Sequence, residues 1–378
     1  MSIVLDFASY PTQWVDHDKT MKPYVWSHRV IDWARQLCML IILVFFLFGG
    51  HAARLENWAF NHTGSLFIAW LLFFGSFALV LKVLFFPFDI ASEIIEKRFH
   101  LSKQSWPSWL WDKAKALMVG GVIGVLVFAI LYLSVRNFGD YWWAVCCTLL
   151  VLVSVVLAQL TPVLLIPIFY KLVPMETGPL KERLLDLCKR FGIAVKEVYH
   201  LGLGEKTEKG NAAFAGLGRT KRILIGDTIY KKFTAEEVEA VFAHELGHQV
   251  HNDLWKGIFV NTVLMFVGFF VTEWLCGQYI LSYFNTLLDH PMGIFLFLIV
   301  LSIVQMPLGV FGLAYTRHSE KAADHFATKK IGMGGQLANA LEKLTLQNYG
   351  LFRPHPFIEF FTYSHPAPWR RILGLRAG

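Results

Sequence analysis

The run His-Glu-Leu-Gly-His occupies residues 244–248 of the chain. Residues four apart on a helix project from the same face, so His244 and His248 can hold one metal ion through their imidazoles. Zinc at such a site lowers the pKa of a coordinated water toward about 7, and Glu245 can act on that water as a general base. A motif this short also occurs by chance as two surface histidines on a helix. The motif alone leaves both interpretations open.

A catalytic zinc site needs a third protein ligand and an open fourth position. One known extension of the motif needs glycine at position 251, where this chain has His251. His251 could be a ligand itself, but one rigid helix is poorly shaped to surround an ion with three ligands. A carboxylate on another helix is the better candidate. The sequence predicts such a helix at the segment YTRHSEKAADHFATKKIG, which contains Glu320.

The helix that carries Glu320 also carries Asp324, one turn later on the same face. Glu320 can supply the third ligand, and Asp324 can accept the second N–H of His244 and fix its tautomer. Alone, the pair could instead form a solvated helix face with Arg317 and Lys321. Beside the histidine motif, we favour the metal site.

The elements around these residues include long apolar segments. The 378 residues are 55% hydrophobic and only 17% charged, whereas about a quarter of the residues in a soluble domain are charged. Six runs approach or exceed the ~20 residues that a helix needs to cross a bilayer. They lie near residues 33–53, 65–86, 116–135, 142–169, 258–284 and 292–315. The sequence therefore predicts a mainly α-helical, polytopic membrane protein.

The connections that join these spans alternate between segments rich in lysine and arginine and segments that are nearly free of them. The basic connections are the N-terminal arm, residues 87–115, residues 170–257 and the tail after residue 316. The loops between them carry one arginine or none. Because basic connections favour the cytoplasmic side, we expect both polar segments that carry the motif residues to face the cytoplasm.

Four regions follow from this pattern. They are an N-terminal membrane domain of four spans (1–169), a first catalytic part (170–257), two further spans (258–316) and a second catalytic part (317–378). The first catalytic part should be a small α+β unit, with three β-prone runs before a helix that begins at a Thr234 capping box. The last two spans would thus split one catalytic domain.

Several other functions are disfavoured by the composition. The net charge of +7 could indicate nucleic acid, but no basic stripe with interleaved aromatics occurs, so we expect no nucleic-acid partner. The five cysteines form no C-x-x-C pair, which argues against a disulfide framework or a cysteine-type zinc site. The first thirty residues lack a basic segment followed by a short apolar core, so we expect no cleaved signal peptide.

Taken together, the motifs resemble the type I CAAX prenyl proteases, which are integral-membrane zinc metalloproteases of the gluzincin class. The resemblance rests on HELGH, on R-x-x-E-x-x-A-D from Arg317 to Asp324, and on Ser-His-Pro at 364–366 with Arg371 six positions after the histidine. The segments FPFDIASEIIEKRF, DYWWAV, TPVLLIPIFYKLVPME, GNAAFAG and KRILIGDTI are also similar and stand in the same order.

The resemblance implies one Zn²⁺ per chain, held by His244, His248 and Glu320, with Glu245 as general base. It further implies that His365 stabilises the oxyanion. Asn211, Ala212 and Arg371 would contact substrate, the first two at an edge strand that pairs with the peptide. From the residues alone, Asn211 could be a plain turn, His365 could end a helix, and Arg371 could be a solvated charge.

Some positions depart from the family pattern. The approach to the edge strand reads Glu-Lys-Gly-Asn, and Asp253 stands where the family has a histidine five positions after the second ligand. The extra N-terminal span and long insertions of the eukaryotic members are absent. These departures bear on the substrate and leave the metal site intact.

We therefore expect a membrane-embedded zinc endopeptidase whose partners are the bilayer and a peptide or protein, prenylated if the protein acts in CAAX processing. A quality-control protease that needs no prenyl group is the alternative. A transporter or a zinc scaffold without catalysis is less favoured, because no internal repeat occurs and mid-span charges are few. We expect location in the cytoplasmic membrane of a prokaryote, or in the endoplasmic reticulum of a eukaryote.

Overall fold

The computed structural model describes residues 10–195 and 197–378, except the side chain of Arg219. It is mainly helical. The helices are α1 (Thr12–Phe48), α2 (His51–Asn61), α3 (Leu66–Arg98), α4 (Trp106–Asn137), α5 (Trp142–Leu160), α6 (Ile166–Phe169), α7 (Pro179–Arg190), α8 (Asp227–Lys232), α9 (Ala235–Val250), α10 (Asp253–Leu275), α11 (Leu281–Tyr283), α12 (Pro291–His325), α13 (Gly334–Gln347), α14 (Pro356–Thr362) and α15 (Pro368–Ala377). The strands are β1 (Leu172–Pro174), β2 (Val198–Leu201), β3 (Ala212–Ala215) and β4 (Arg222–Gly226).

Six helical segments within the described residues are long and apolar enough to cross a membrane. They are Thr12–Phe48, Leu66–Arg98, Trp106–Asn137, Gly139–Phe169, Asp253–Tyr283 and Pro291–Ile331. Large apolar side chains point away from the protein along these segments, such as Val122 and Met306, each 75% exposed. Such a surface suits lipid, where exposed apolar groups cost nothing. The predicted polytopic, mainly α-helical class is confirmed.

The ends of the predicted spans differ from the helices. The first apolar run is broken at Gly50, which adopts a left-handed φ of 69°, and α2 begins at the next residue. The proposed boundaries at 257/258 and 316/317 fall inside α10 and α12, each of which continues from a polar segment into a membrane span without interruption. Division of the chain at these positions stays a prediction.

The polar segments assemble around a four-stranded sheet of order β1-β2-β4-β3. β2 and β4 are parallel, and the two outer strands run antiparallel to them. The three β-prone runs of the sequence form β2, β3 and β4. The sheet leaves β3 at an edge, and among the described residues one side of its backbone has no strand partner.

α9 packs against β3 of this sheet, and α12 packs against α9. α9 begins at the predicted capping box: the Thr234 hydroxyl accepts the Glu237 N–H at 3.3 Å, and the Glu237 carboxylate accepts the Thr234 N–H at 2.9 Å. Beyond His325, α12 continues through a short π-helical stretch to Gly332, which ends it at a φ of 83°. One buried core joins α7, α9, α13, α15 and the sheet.

The start of α1 also belongs to this core. Trp14 is 1% exposed and stacks on Phe352 with ring centroids 4.7 Å apart. Asp18 accepts the backbone N–H groups of Phe352 and Arg353 at 2.8 and 3.0 Å. Burial of a tryptophan corresponds to about 4–6 kcal/mol of transfer free energy before entropy is subtracted. α1 therefore ties the membrane domain to the segment that follows α13.

Candidate metal centre

His244, His248 and Glu320 come together between α9 and α12. The ligand atoms of the three residues all lie within 4.8 Å of one another. The Nε2 atoms of His244 and His248 are each 3.3 Å from a carboxylate oxygen of Glu320. The side chains are 7%, 20% and 6% exposed in that order, so the cluster is largely shielded from water. The structure thus brings together the three residues that the sequence predicts as metal ligands.

Gly247 allows α9 and α12 to approach this closely. A Cβ at position 247 would lie 3.1 Å from the Ala323 Cα and 3.2 Å from the Phe326 Cβ. Those distances are below ordinary van der Waals contact between carbon atoms. The glycine inside the motif therefore sets the distance between the helix with the two histidines and the helix with Glu320.

Each histidine has a carboxylate at its other ring nitrogen. The Nδ1 of His244 lies 2.9 Å from Asp324 Oδ1, as the spacing of Glu320 and Asp324 predicts. The Nδ1 of His248 is 2.8 Å from Asp253 Oδ2. A proton held at Nδ1 leaves the Nε2 lone pair available for a metal. The role of Asp253 was missed from the sequence, although its distance of five residues from His248 was the available signal.

The electrostatics of the cluster favour positive charge. Burial alone would lower the pKa of His244, but the carboxylates of Asp324 and Glu320 outweigh burial and raise the pKa to about 9. Burial also lowers the pKa of His248, but the hydrogen bond to Glu320 raises it. The pKa of His248 is therefore raised overall. Two imidazoles and a carboxylate are the donors that zinc prefers, so the residues fit the ion.

Arg371 borders the cluster, and its Nη2 lies 3.5 Å from the Nε2 of His244. Its guanidinium donates to both oxygens of Asp324 at 2.7 and 2.8 Å, and its Nη1 is 3.2 Å from Glu320. The side chain is 8% exposed, so Arg371 is not a solvated tail charge. This placement favours a role in holding Asp324 and Glu320 in position. A direct contact with substrate, as the resemblance implies, stays a prediction.

His365 reaches the same cluster from the loop between α14 and α15. Its Nε2 is 3.2 Å from Glu320, while 56% of the side chain is exposed. The Ser364 hydroxyl lies 2.8 Å from the Nδ1 of His365. His365 can therefore point a donor toward a molecule bound over the cluster. The contact of Ser364 was not foreseen, and only its position beside the histidine hinted at it.

Glu245 and the edge strand face one another. Glu245 and Ala212 line the same small cavity beside the sheet, and Glu245 is half-buried. Asn211 is exposed at the start of β3, where its carbonyl accepts the Gly226 N–H at 2.8 Å. An extended peptide on the free edge of β3 would thus lie next to the predicted general base.

The side chain of Asn348, the residue directly after α13, holds the backbone just before β3 in place. Asn348 accepts the Gly210 N–H at 2.8 Å through its side-chain oxygen and donates to the Gly210 carbonyl at 3.1 Å. The amide of Asn348 thereby pairs with Gly210 as a neighbouring strand would. This contact holds the backbone immediately before Asn211, and no local sequence pattern indicates it.

His251 does not join the metal cluster. Its ring packs edge-on against Phe326 with centroids 5.8 Å apart. Among the described residues, only the His244, His248 and Glu320 group has three potential ligands close enough to hold a metal. The expectation that a single helix does not supply all three ligands agrees with this arrangement.

Two protein-family models match the chain. The family model of Peptidase family M48 matches residues 174–377, which include all of the cluster. The chain belongs to peptidase family M48. A second family model, described as "CAAX prenyl protease N-terminal, five membrane helices", matches residues 19–171 of this M48 protein. Within that range the structure has four candidate spans and the short helix α2.

Relatives and a solved structure agree with the family. The M48 chain is 23% identical to "Uncharacterized metalloprotease YhfN" of Bacillus subtilis over 90% of this chain and 80% of that one. It is 28% identical to "CAAX prenyl protease 1" of Saccharomyces cerevisiae over 75% of this chain and 66% of the yeast one. The crystal structure of S. mikatae Ste24p matches with a TM-score of 0.87 at 21% identity, over 95% of this chain and 89% of that one.

These comparisons confirm several predictions from the sequence. The chain is an integral-membrane metalloprotease of the family that its motifs resemble, and the similarity to Ste24p shows the same fold. A family of metallopeptidases implies a bound metal, which the histidine and glutamate cluster is built to hold.

Proposed function

We propose that this protein is a zinc endopeptidase that cleaves peptide bonds beside the membrane, with Glu245 as its general base. The observation that carries the proposal is the convergence of His244, His248 and Glu320, with Glu245 of the same helix lining a cavity together with Ala212 of β3. Metal ligands, a carboxylate and a peptide-binding edge thereby meet in one place. Such a combination suits hydrolysis of an extended chain.

Zinc is the metal that fits the donor set. His244, His248 and Glu320 would hold one ion per chain, while Asp324 and Asp253 orient the imidazoles. When bound, zinc would polarise the scissile carbonyl and make water more acidic. Arg371 would keep the carboxylates of Glu320 and Asp324 in position.

Groups of the protein itself would bind the substrate, transfer the proton and stabilise the developing negative charge. The backbone of β3 at Asn211 and Ala212 would pair with the substrate and present one peptide bond to the cluster. Glu245 would take a proton from the attacking water and give it to the leaving nitrogen. His365 would donate to the carbonyl oxygen as negative charge develops there, which lowers the barrier.

The substrate and location form the finer part of the proposal. Relatives named CAAX prenyl protease support a prenylated C-terminal peptide as substrate. The Bacillus relative is named only as a metalloprotease, so a protease that needs no prenyl group stays the alternative. The basic connections support a catalytic side in the cytoplasm. The cytoplasmic membrane of a prokaryote, or the endoplasmic reticulum, would be the site of action.

The test uses the full-length protein in detergent, with metal analysis and peptide cleavage in parallel. Glu245→Gln should retain about one zinc per chain and lose at least ~100-fold in kcat, because general bases contribute about 10²–10⁴-fold. His251→Gln, on the same helix but outside the cluster, is the matched control and should keep both zinc and activity. Unchanged turnover in Glu245→Gln would refute the role of Glu245 as general base, and a wild type that binds zinc but cleaves no peptide would favour a scaffold.

Paired substrates then separate the two proteolytic alternatives. The same peptide is offered with and without a prenyl group. Preference for the prenylated peptide supports CAAX processing, and equal cleavage of both supports quality control. Both outcomes leave the assignment of Glu245 intact.

A further inference from the structure

A cavity of about 760 Å³ lies between the end of α12, α14 and α15. The charged side chains in its walls are mainly basic. Five lysine or arginine side chains line it, namely Arg317, Lys321, Lys329, Arg370 and Arg371, together with His318 and His325. Only two acidic side chains, Asp324 and Glu359, face them. The volume is within the range of about 300–1,000 Å³ that small-molecule sites occupy.

Both acidic residues already have partners. Asp324 is bound by Arg371 at 2.7 and 2.8 Å. Glu359 accepts the Ala367 N–H at 3.0 Å and lies 3.3 Å from Arg370. Neither carboxylate is therefore available to neutralise the other cations of the cavity.

Two of the remaining cations are hydrogen-bonded to backbone oxygen atoms. Arg317 donates to the backbone carbonyls of Phe360 and Tyr363 at 3.2 and 2.8 Å. Lys329 donates to the Gly378 carbonyl at 2.8 Å. Within residues 10–195 and 197–378, no carboxylate side chain forms an ion pair with Arg317, Lys321 or Lys329. The cavity thus retains positive charge that suits an anion.

The cavity begins where the membrane span ends. α12 has no charged residue from Pro291 to Thr316, and Arg317 is the first. Ala314, within the last turn of the uncharged run, also lines the cavity. The basic side chains therefore lie at the depth of lipid headgroups.

α14 adds an aromatic surface at the same level. Phe357, Phe360 and Phe361 are 66%, 52% and 45% exposed on this short helix. Phe360 lines the cavity, and the Arg317 guanidinium lies 5.7 Å from the centre of its ring. Exposed phenylalanines are costly in water but stable in the interfacial region of a bilayer. An aromatic helix beside a basic cavity indicates a ligand with an apolar part and an anionic part.

We propose that this cavity binds the phosphate headgroup of an anionic membrane phospholipid, with α14 seated in the membrane interface. Basic pockets between membrane helices are suited to such headgroups. A soluble phosphate or an acidic peptide would match the charge, but neither needs the exposed phenylalanines of α14. The inference rests on the membrane assignment and is independent of the proposed cleavage reaction.

The first test measures lipid binding by the full-length protein in neutral detergent. Phosphatidylglycerol, phosphatidylcholine and inorganic phosphate are titrated separately, and bound ligand is counted by native mass spectrometry. Lys321→Gln with Lys329→Gln removes two cavity charges. Lys189→Gln with Lys330→Gln removes two exposed charges that do not line the cavity and is the matched control.

The wild type and the control should bind phosphatidylglycerol and not phosphatidylcholine. The cavity variant should bind it about 30-fold more weakly, which equals about 2 kcal/mol for two lysines near an anionic headgroup. Equal binding by the cavity and control variants would overturn the proposal. So would equal binding of the neutral lipid, or displacement of phosphatidylglycerol by inorganic phosphate.

A second measurement tests whether α14 lies in the membrane interface and does not depend on lipid affinity. Phe361→Cys in a Cys38→Ser background accepts a nitroxide label, since the other four cysteines are buried. In bilayers that contain phosphatidylglycerol, the label should collide more often with dissolved oxygen than with a water-soluble nickel chelate. Preferential collision with the chelate would place α14 in water and overturn the proposal.

Discussion

Asp253 provides a sensitive test of how the metal cluster is held. Asp253→Ala removes the acceptor 2.8 Å from the Nδ1 of His248 and leaves the three ligands in place. Loss of such an orienting partner typically lowers metal affinity 10–100-fold, which equals about 1.4–2.8 kcal/mol. We expect zinc affinity to fall within this range, because the ring of His248 is then free to rotate and to change tautomer.

Asp253→Asn is the matched variant. Its side-chain oxygen can still accept the His248 N–H, so zinc affinity should fall less than about tenfold. Both variants remove the negative charge from the first turn of α10, where an acidic residue contributes about 0.3–1 kcal/mol to helix stability. The difference between them therefore isolates the hydrogen bond from the helix effect.

Competition with a chelator of known affinity gives the dissociation constant, and peptide cleavage at saturating zinc gives kcat. We expect a large change in the first quantity and little change in the second, because Asp253 orients a ligand and does not contact the substrate. Zinc affinity in Asp253→Ala within twofold of the wild type would refute this explanation of how His248 is positioned.

Two further predictions concern the spacing of α9 and α12 and the edge strand. Gly247→Ala introduces a Cβ 3.1 Å from the Ala323 backbone, so overpacking of about 1–3 kcal/mol should separate the helices and weaken zinc binding at least tenfold. Gly335→Ala, where a Cβ meets nothing within 4 Å, should leave zinc binding unchanged in the same chelator assay. Asn348→Ala removes both hydrogen bonds to Gly210 and should raise the KM for peptide several-fold with a smaller change in kcat, as measured by steady-state cleavage. A loss confined to kcat would contradict the proposed placement of the substrate on β3.

Much of the metal site could be predicted from local patterns. The helical period places His244 and His248 on one face, and the same period relates Glu320 to Asp324. A capping box marks the start of α9, and a glycine marks the end of the helix that carries Glu320. These features depend on residues within one or two turns of each other, so a single sequence contains them.

Contacts between distant segments could not be predicted in this way. The packing of Trp14 on Phe352 joins residues more than three hundred positions apart, and nothing in either segment indicates the other. The bonds of Asn348 to Gly210 belong to the same class. The strand β1 is too short for an alternating pattern, and its pairing with β2 holds it in the sheet.

The continuity of α12 limits which peptide bonds can be cut. Glu320 lies four residues beyond Thr316, the last residue of the uncharged run, which corresponds to about 6 Å along the helix axis. An extended chain covers about 3.3–3.6 Å per residue. A substrate anchored in the hydrocarbon can therefore reach Glu320 with only a few residues outside the bilayer, whereas a compact soluble domain must first release an unfolded tail.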